Sequence, residues 1–413
     1  SHITGIPPRW WRTAAGTDNT VEADGMQSQE HGRRQVAVVY RSLPQYRRQF
    51  YELVREGLGA RGVEFKLIYG DTDAADDAKQ DRIELPWATR IPNRIVRLGS
   101  RFIYWQPCLR ELKRADLVIV EQASKLLLNY VLLVQQFLGV RRLAFWGHGR
   151  NFQRHTASAL GEAVKRLMSR RVWWWFAYND ASSAVVRELG FPAERITSVQ
   201  NSIDTRALVE ARSRLAPADL ERVRAELGIV GEHVCVFAGS IYSEKRIDFL
   251  LAACERVRER VPGFELIVIG AGPDARKVSE AARRHPWIHY VGPRFDDEKV
   301  PYFAISKLLL LPGLVGLAVL DAFALETPLV TTDVDFHSPE IDYLDNGVNG
   351  VVVSPSDDPA AYAVAVAELL EDEPRRARLV QGCRESRAHY SVEEMAARFT
   401  EGVLGALEKA GAA

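Results

Sequence analysis

From Gln35 onward, short apolar runs alternate with longer segments in which apolar residues recur every three or four positions. QVAVVY (35–40), VEFKLIY (63–69), DLVIVE (116–121) and RLAFWGH (142–148) are rich in β-branched and aromatic residues and predict strands. Between them, residues 47–58 and 124–138 carry helical spacing. The pattern pauses at NSIDTRA (201–207). It resumes with HVCVFAGS (233–240), FELIVIG (264–270), IHYVG (288–292), KLLLLP (307–312), PLVTT (328–332) and GVVV (350–353). Strands separated by helices build parallel sheets covered on both faces. The expected fold is therefore α/β, with two doubly wound Rossmann-like domains facing each other across a cleft. Ligands bind such sheets beyond the carboxyl ends of the strands. The expected divisions are a first domain over 33–205, a second over 206–390, and a closing segment over 391–413. Ser391 followed by Glu394 is a capping-box pattern that starts a helix there.

A chain of 413 residues exceeds what one core usually organises, in keeping with two domains. Its 54 basic and 54 acidic residues cancel, so total charge gives no attraction to nucleic acid or to an acidic bilayer. Cys108, Cys235, Cys254 and Cys383 have no metal-ligand spacing and read as structural thiols of a reducing compartment. No apolar run is long enough to span a bilayer. Residues 1–32 are polar and lack a secretion-signal core, so they are expected to be a flexible arm or a cloning remnant of a cytoplasmic protein. VWWWFAY (172–178) reads as a buried aromatic strand. The basic residues before it, in VKRLMSRRVWWW (164–175), add an expectation of peripheral contact at the inner face of a membrane.

Candidate chemistry concentrates in Lys307–Glu340. Leu308–Leu311 ends at Pro312-Gly313, and Gly316 is expected to open a helix to about Leu325, with unpaired amides and the helix dipole facing an anion. In FAGSIYSEKRID (237–248), a strand ends at Gly239 and a helix begins near Lys245. Gly270 and Gly272 follow another strand in a turn whose glycines permit close approach of a ligand. Arg294 follows a further strand.

These segments resemble the nucleotide-sugar site of GT-B glycosyltransferases, in particular the retaining family 4. That family carries Glu, then Gly-Phe-Gly-Leu, then a second Glu eight positions after the first. Here the register gives Gly313, Leu314 to Leu317 with Gly316 kept, and Asp321. The resemblance covers 237–407 closely and 35–204 more loosely. It implies that Asp321 holds the nucleotide ribose and that the acid orienting the donor sugar is missing at Gly313. It also implies that Lys245 meets the leaving diphosphate, while Ser240 replaces the second cation, so that Arg246 or the turn at Gly316 and Leu317 makes up part of the deficit. Gly239, Ser240, Gly270 and Gly272 would line the nucleotide pocket, and Arg294 would meet the base or lie in solvent. Glu340 would contact the donor or cap a helix. In the first domain, His148 takes the place of a histidine commonly found near the donor sugar, and Arg41, Tyr46 and Arg47 lie in the first strand-to-helix loop, on the acceptor side.

The implied activity is transfer of a sugar from a UDP- or GDP-linked donor to an acceptor hydroxyl, with retention. The nucleoside diphosphate sugar is a co-substrate, with no cofactor and no metal. The acceptor is a saccharide, a lipid-linked saccharide or a small molecule, and nucleic acid is not a partner. Two rivals share the fold: a sugar-nucleotide epimerase, disfavoured by Gly313, and a non-catalytic nucleotide-sugar-binding partner subunit.

Overall fold

The computed structural model describes residues 33–71, 84–98, 101–149 and 169–411. The leader 1–32 and residues 164–168 of the basic stretch lie outside them.

The first sheet has seven parallel strands in the order β3-β2-β1-β6-β7-β8-β9. They are β1 (Gln35–Tyr40), β2 (Glu64–Gly70), β3 (Thr89–Ile91), β6 (Leu117–Glu121), β7 (Arg142–Gly147), β8 (Trp174–Ala177) and β9 (Ile196–Ser198). Between β3 and β6 stands a separate antiparallel pair, β4 (Arg94–Leu98) and β5 (Arg101–Trp105). The second sheet has six parallel strands in the order β12-β11-β10-β13-β14-β15. They are β10 (His233–Ala238), β11 (Phe264–Ile269), β12 (Ile288–Gly292), β13 (Leu308–Leu310), β14 (Leu329–Thr332) and β15 (Gly350–Val353). In each sheet the order reverses beside the first strand, which sets a crevice at the carboxyl ends of β1 and β10.

Strands β1, β11 and β13 are buried along their whole length and β10 from Val234 onward, as continuous apolar runs in parallel sheets require. The strands β3, β4, β5 and β9 have no counterpart among the strand expectations from sequence. The terminal helix Val392–Gly411 returns to the first domain, where Met395, Phe399 and Val403 join the core formed by Phe50, Tyr51 and Trp146. The Glu394 amide donates to Ser391 Oγ at 3.2 Å, which supplies the expected cap.

Trp174 and Trp175 are buried, and Trp173, half-buried, donates its indole N–H to the Ala406 carbonyl on the terminal helix. These indoles therefore serve the interior, which removes the basis for a membrane interface at this segment. All four cysteines are buried and free. No described helix is long and apolar enough to cross a membrane.

Candidate active site

Three loops at the carboxyl ends of β10, β11 and β13 meet around Lys245. The chain leaves β10 through Gly239, whose φ of 146° lies outside the range of L-residues, and closes a short 3-10 turn at Ser243–Lys245. Lys245 is buried, and its ammonium donates to the Leu314 carbonyl at 2.6 Å. Among the described residues no carboxylate pairs with it, and burial alone lowers its pKa to about 8. A side chain at Gly239 would first meet Lys245 Cε, at 4.0 Å, so the ammonium stem borders the open side of that glycine. Ser240 is exposed.

Lys245 is held by a contact between two loops. The Leu314 amide donates to the Glu244 carbonyl at 2.8 Å, and a Cβ on Gly313 would lie 2.1 Å from that same oxygen. The space a side chain at 313 would use is thus filled by the backbone of Glu244 and Lys245. Gly313 is more than the loss of an acid: in this arrangement any larger residue would push the Lys245 loop away.

The turn is braced from its other side by His337. Its Nδ1 accepts the Val315 amide at 3.0 Å while Nε2 faces the Thr332 carbonyl at 2.7 Å, a pattern that only the neutral Nε2–H tautomer satisfies. Burial first, and the charge of Lys245 as a lesser cause, hold its pKa below the ordinary histidine value. The Leu314 and Val315 amides are consumed in this way, and those of Gly316 and Leu317 have no protein acceptor among the described residues. The helix begins at Ala318, two residues later than expected, and runs only to Ala324. It is too short for its dipole to carry the argument, and the two amides are the part that matters.

Asp321 lies on this helix. Its Oδ2 receives the Lys299 ammonium at 2.7 Å, with both side chains largely buried, and its Oδ1 is buried without a partner. Lys299 was missed from the sequence because it closes the charged run Asp296–Lys299, which reads as solvated.

Several expected residues have other tasks. Arg246 takes up φ 56° and donates to the carbonyls of Ser356 and Pro312 and to Thr332 Oγ1, with its guanidinium over Phe249. It braces the sheet end, with Nη1 turned to these protein acceptors. Gly270 and Gly272, at φ 146° and 154°, do allow close approach, but of protein backbone: Cβ atoms there would lie 1.9 Å from the Gly239 carbonyl and 2.2 Å from that of Ile241. Arg294 donates from Nη1 to the Pro293 carbonyl at 2.9 Å and from Nε to the Tyr302 hydroxyl at 3.5 Å.

Glu340 is buried and accepts the Asn201 amide at 2.7 Å, and Asn201 in turn accepts from Arg47. Glu340 thus ties the second domain to the first and caps no helix. Arg47 is 1% exposed, wrapped by the rings of Tyr46, Phe50 and Trp146, and does not line an acceptor surface. Beside it, Asn179 donates to the Pro339 carbonyl, and the Ala181 amide to Asp342. Tyr46 is 39% exposed. The Arg41 amide donates to the half-buried Glu121 carboxylate, and its guanidinium lies 5.7 Å from the Tyr104 ring. His148 stacks on Tyr178 with centroids 4.1 Å apart and lies 3.4 Å from Ser182 Oγ. Burial and the charge of Arg47 lower its pKa to about 4, so it is neutral at pH 7. Residues 150 and 151 of its loop lie outside the described residues.

Residues 232–372 match the family described as Glycosyl transferases group 1. The chain is 26% identical over 214 residues to alpha-D-kanosaminyltransferase of Streptomyces kanamyceticus, covering 49% of this chain and 52% of that protein. It is 29% identical over 237 residues to D-inositol 3-phosphate glycosyltransferase of Xylanimonas cellulosilytica, covering 54% of each. The chain thus spans about half the length of these curated relatives. Among solved structures, Anabaena Alr3699/HepE in complex with UDP superposes with a TM-score of 0.65 at 16% identity, over 90% of this chain and 99% of that one. A glycosyltransferase from Rickettsia africae superposes with a TM-score of 0.64 at 13% identity, over 90% and 97%. At these identities the likeness establishes the fold, which is GT-B.

Proposed function

With a glycosyl transferases group 1 domain set in a GT-B fold, we propose that this chain transfers a sugar from a nucleoside diphosphate sugar to an acceptor hydroxyl, with retention of configuration. The observation that carries this reading is Lys245, a buried ammonium with no acidic partner beside the partnerless amides of Gly316 and Leu317. In this reading the diphosphate meets Lys245 and the two amides, and a ribose hydroxyl donates to the free Oδ1 of Asp321, while Lys299 keeps the other oxygen in place.

When the bond from the sugar to the β-phosphate breaks, negative charge grows on the phosphate oxygens. Donors already fixed around that position stabilise the charge without reorganising, and they act most strongly where water is scarce. Lys245 is such a donor. Retention fits attack from the face the diphosphate leaves, which needs no enzyme nucleophile. A uridine donor is favoured, because a structural neighbour over 89% of this chain was solved with UDP-glucose.

Calorimetry with UDP and GDP tests the nucleotide half of the reading. Asp321→Asn should weaken binding about tenfold, the loss expected for one hydrogen bond to a charged group. Unaltered affinity would take Asp321 out of the site. Turnover of UDP-sugars with a saccharide acceptor panel tests the chemical half, and tight binding without any turnover would identify a nucleotide-sugar-binding subunit instead.

A further inference from the structure

The hairpin β4-β5 belongs to neither sheet and is not needed to complete the first one. Its base is fixed at the cleft end of β1. Asn93 donates to the Arg41 carbonyl at 2.8 Å, Gln106 to the Tyr40 carbonyl at 3.2 Å, and the Tyr104 amide to the Lys125 carbonyl at 2.8 Å. Beyond this base three of its apolar side chains are exposed: Ile95 is 48% exposed, Val96 49% and Phe102 55%. Ile95, paired with Tyr104, and Phe102, paired with Arg97, share one face, whereas Val96 lies on the other, so no single neighbouring element could cover all three. An isolated two-stranded ribbon has no core of its own to bury them in.

Charge narrows the occupant. The whole chain is neutral, yet residues 91–110 contain four arginines and no Asp or Glu. Arg94 and Arg97 are exposed on the hairpin itself, Arg97 over the Phe102 ring at 5.9 Å, and Lys125 is exposed at its base. A surface suited to this ribbon must accept apolar side chains on both faces while offering anions at their edge. A lipid bilayer with acidic headgroups does so: aliphatic and aromatic groups enter the acyl boundary, and arginine stems keep their guanidinium groups at headgroup level. Each such cation contributes about 1 kcal/mol at an acidic surface. We propose that the β4-β5 hairpin docks this protein on an anionic membrane, with the cleft end of the first domain, the acceptor side in the proposed reaction, next to the lipid.

Flotation of the full chain with vesicles of phosphatidylcholine, with and without phosphatidylglycerol, tests the proposal without donor or acceptor, so its outcome is independent of the transferase reading. The expected result is binding to the acidic vesicles, weakened by salt. Arg94→Ala with Arg97→Ala should lower partitioning about thirty-fold, and Ile95→Asn with Phe102→Ser should also lower it. Melting temperatures of both double variants should stay near that of the parent, since these side chains are exposed. Absence of binding by the parent, equal binding to neutral and acidic vesicles, or undiminished binding by the arginine variant with its fold intact would overturn the proposal. So would binding of dextran sulfate without binding of vesicles, which would make the hairpin a reader of soluble polyanions.

Discussion

Each domain places a buried cation at the same local position, and the two have opposite surroundings. Arg47 stands seven residues beyond the end of β1 and Lys245 seven beyond the end of β10, each closing a short 3-10 turn before a helix. Arg47 meets Asn201, the Met395 sulfur and three aromatic rings, and through Asn201 reaches Glu340 of the other domain. Lys245 meets one carbonyl and, at the edge of reach, one ring, Tyr242 at 5.8 Å, and no acid among the described residues. A guanidinium spreads its charge over a plane that rings and amide oxygens can cover, whereas an ammonium concentrates its charge and is costly to desolvate. The first cation is enclosed by protein, with partners at both terminal nitrogens and only its Nε left without one, and joins the domains. The second is left to be satisfied by a ligand.

The largest consequence should appear in catalysis. Lys245→Ala is expected to lower kcat/KM by about two orders of magnitude, because the lost interaction is strongest as the diphosphate departs. Its melting temperature should not fall as it would for a buried ion pair, since no carboxylate is orphaned. Full turnover by this variant would end the role given to Lys245.

The mirror-image change has its effect in stability. Arg47→Ala should destabilise the protein by about 3 kcal/mol, from an unpaired Asn201 oxygen and a gap among Phe50, Trp146 and Met395. Calorimetric unfolding should show the loss, while UDP binding to the second domain stays close to that of the parent. A large loss of nucleotide affinity with little thermal effect would erase the contrast between the two cations.

What could be read from sequence follows the range of the forces involved. The second sheet was legible because each of its strands is a short apolar run set off by Gly, Pro or Asn, a pattern imposed by burial on both faces. IHYVG and GVVV have the bounds given by the sequence. The hairpin β4-β5 was missed although Gly99-Ser100 between two apolar runs offered a turn signal, since its residues alternate too irregularly to mark a face. His337 had a signal too, a histidine directly before Ser-Pro-Glu in a loop after a strand. No local pattern announces the approach of Glu244 to Gly313, because two loops far apart in sequence set it jointly. The same holds for Arg246, whose identity suggested the diphosphate and whose left-handed backbone sends it to Ser356 instead.

Gly313→Ala sharpens the comparison from within the second domain. Its Cβ would lie 2.1 Å from the Glu244 carbonyl, so the Lys245 turn must shift, at a cost of about 2 kcal/mol. The expected outcome is a fall in kcat/KM of about thirty-fold with a modest loss of thermal stability. An active, stable variant would show that the two loops separate readily and that Lys245 needs no such support.

The smallest expected effect is on pH dependence, and here the two cations differ in kind. The folded pKa of Lys245 is lowered by burial to about 8, below its ordinary 10.5, whereas Arg47 remains charged throughout any accessible range. Between about pH 8 and 10.5 the unfolded chain binds a proton at Lys245 that the folded chain has released, so this residue makes stability rise with pH across that window. Activity should move the other way. The free enzyme loses its ammonium as pH passes about 8, and kcat/KM should fall about tenfold per unit above it. Bound nucleoside diphosphate supplies the missing negative charge, holds the proton on and should move the break in kcat to higher pH than the break in kcat/KM. Lys245→Arg removes the titration, and any residual activity in that variant should stay level from pH 7.5 to 9.5. If the parent profile is equally level, the ammonium is not the titrating group, and the charge facing the diphosphate comes from the Gly316 and Leu317 amides alone.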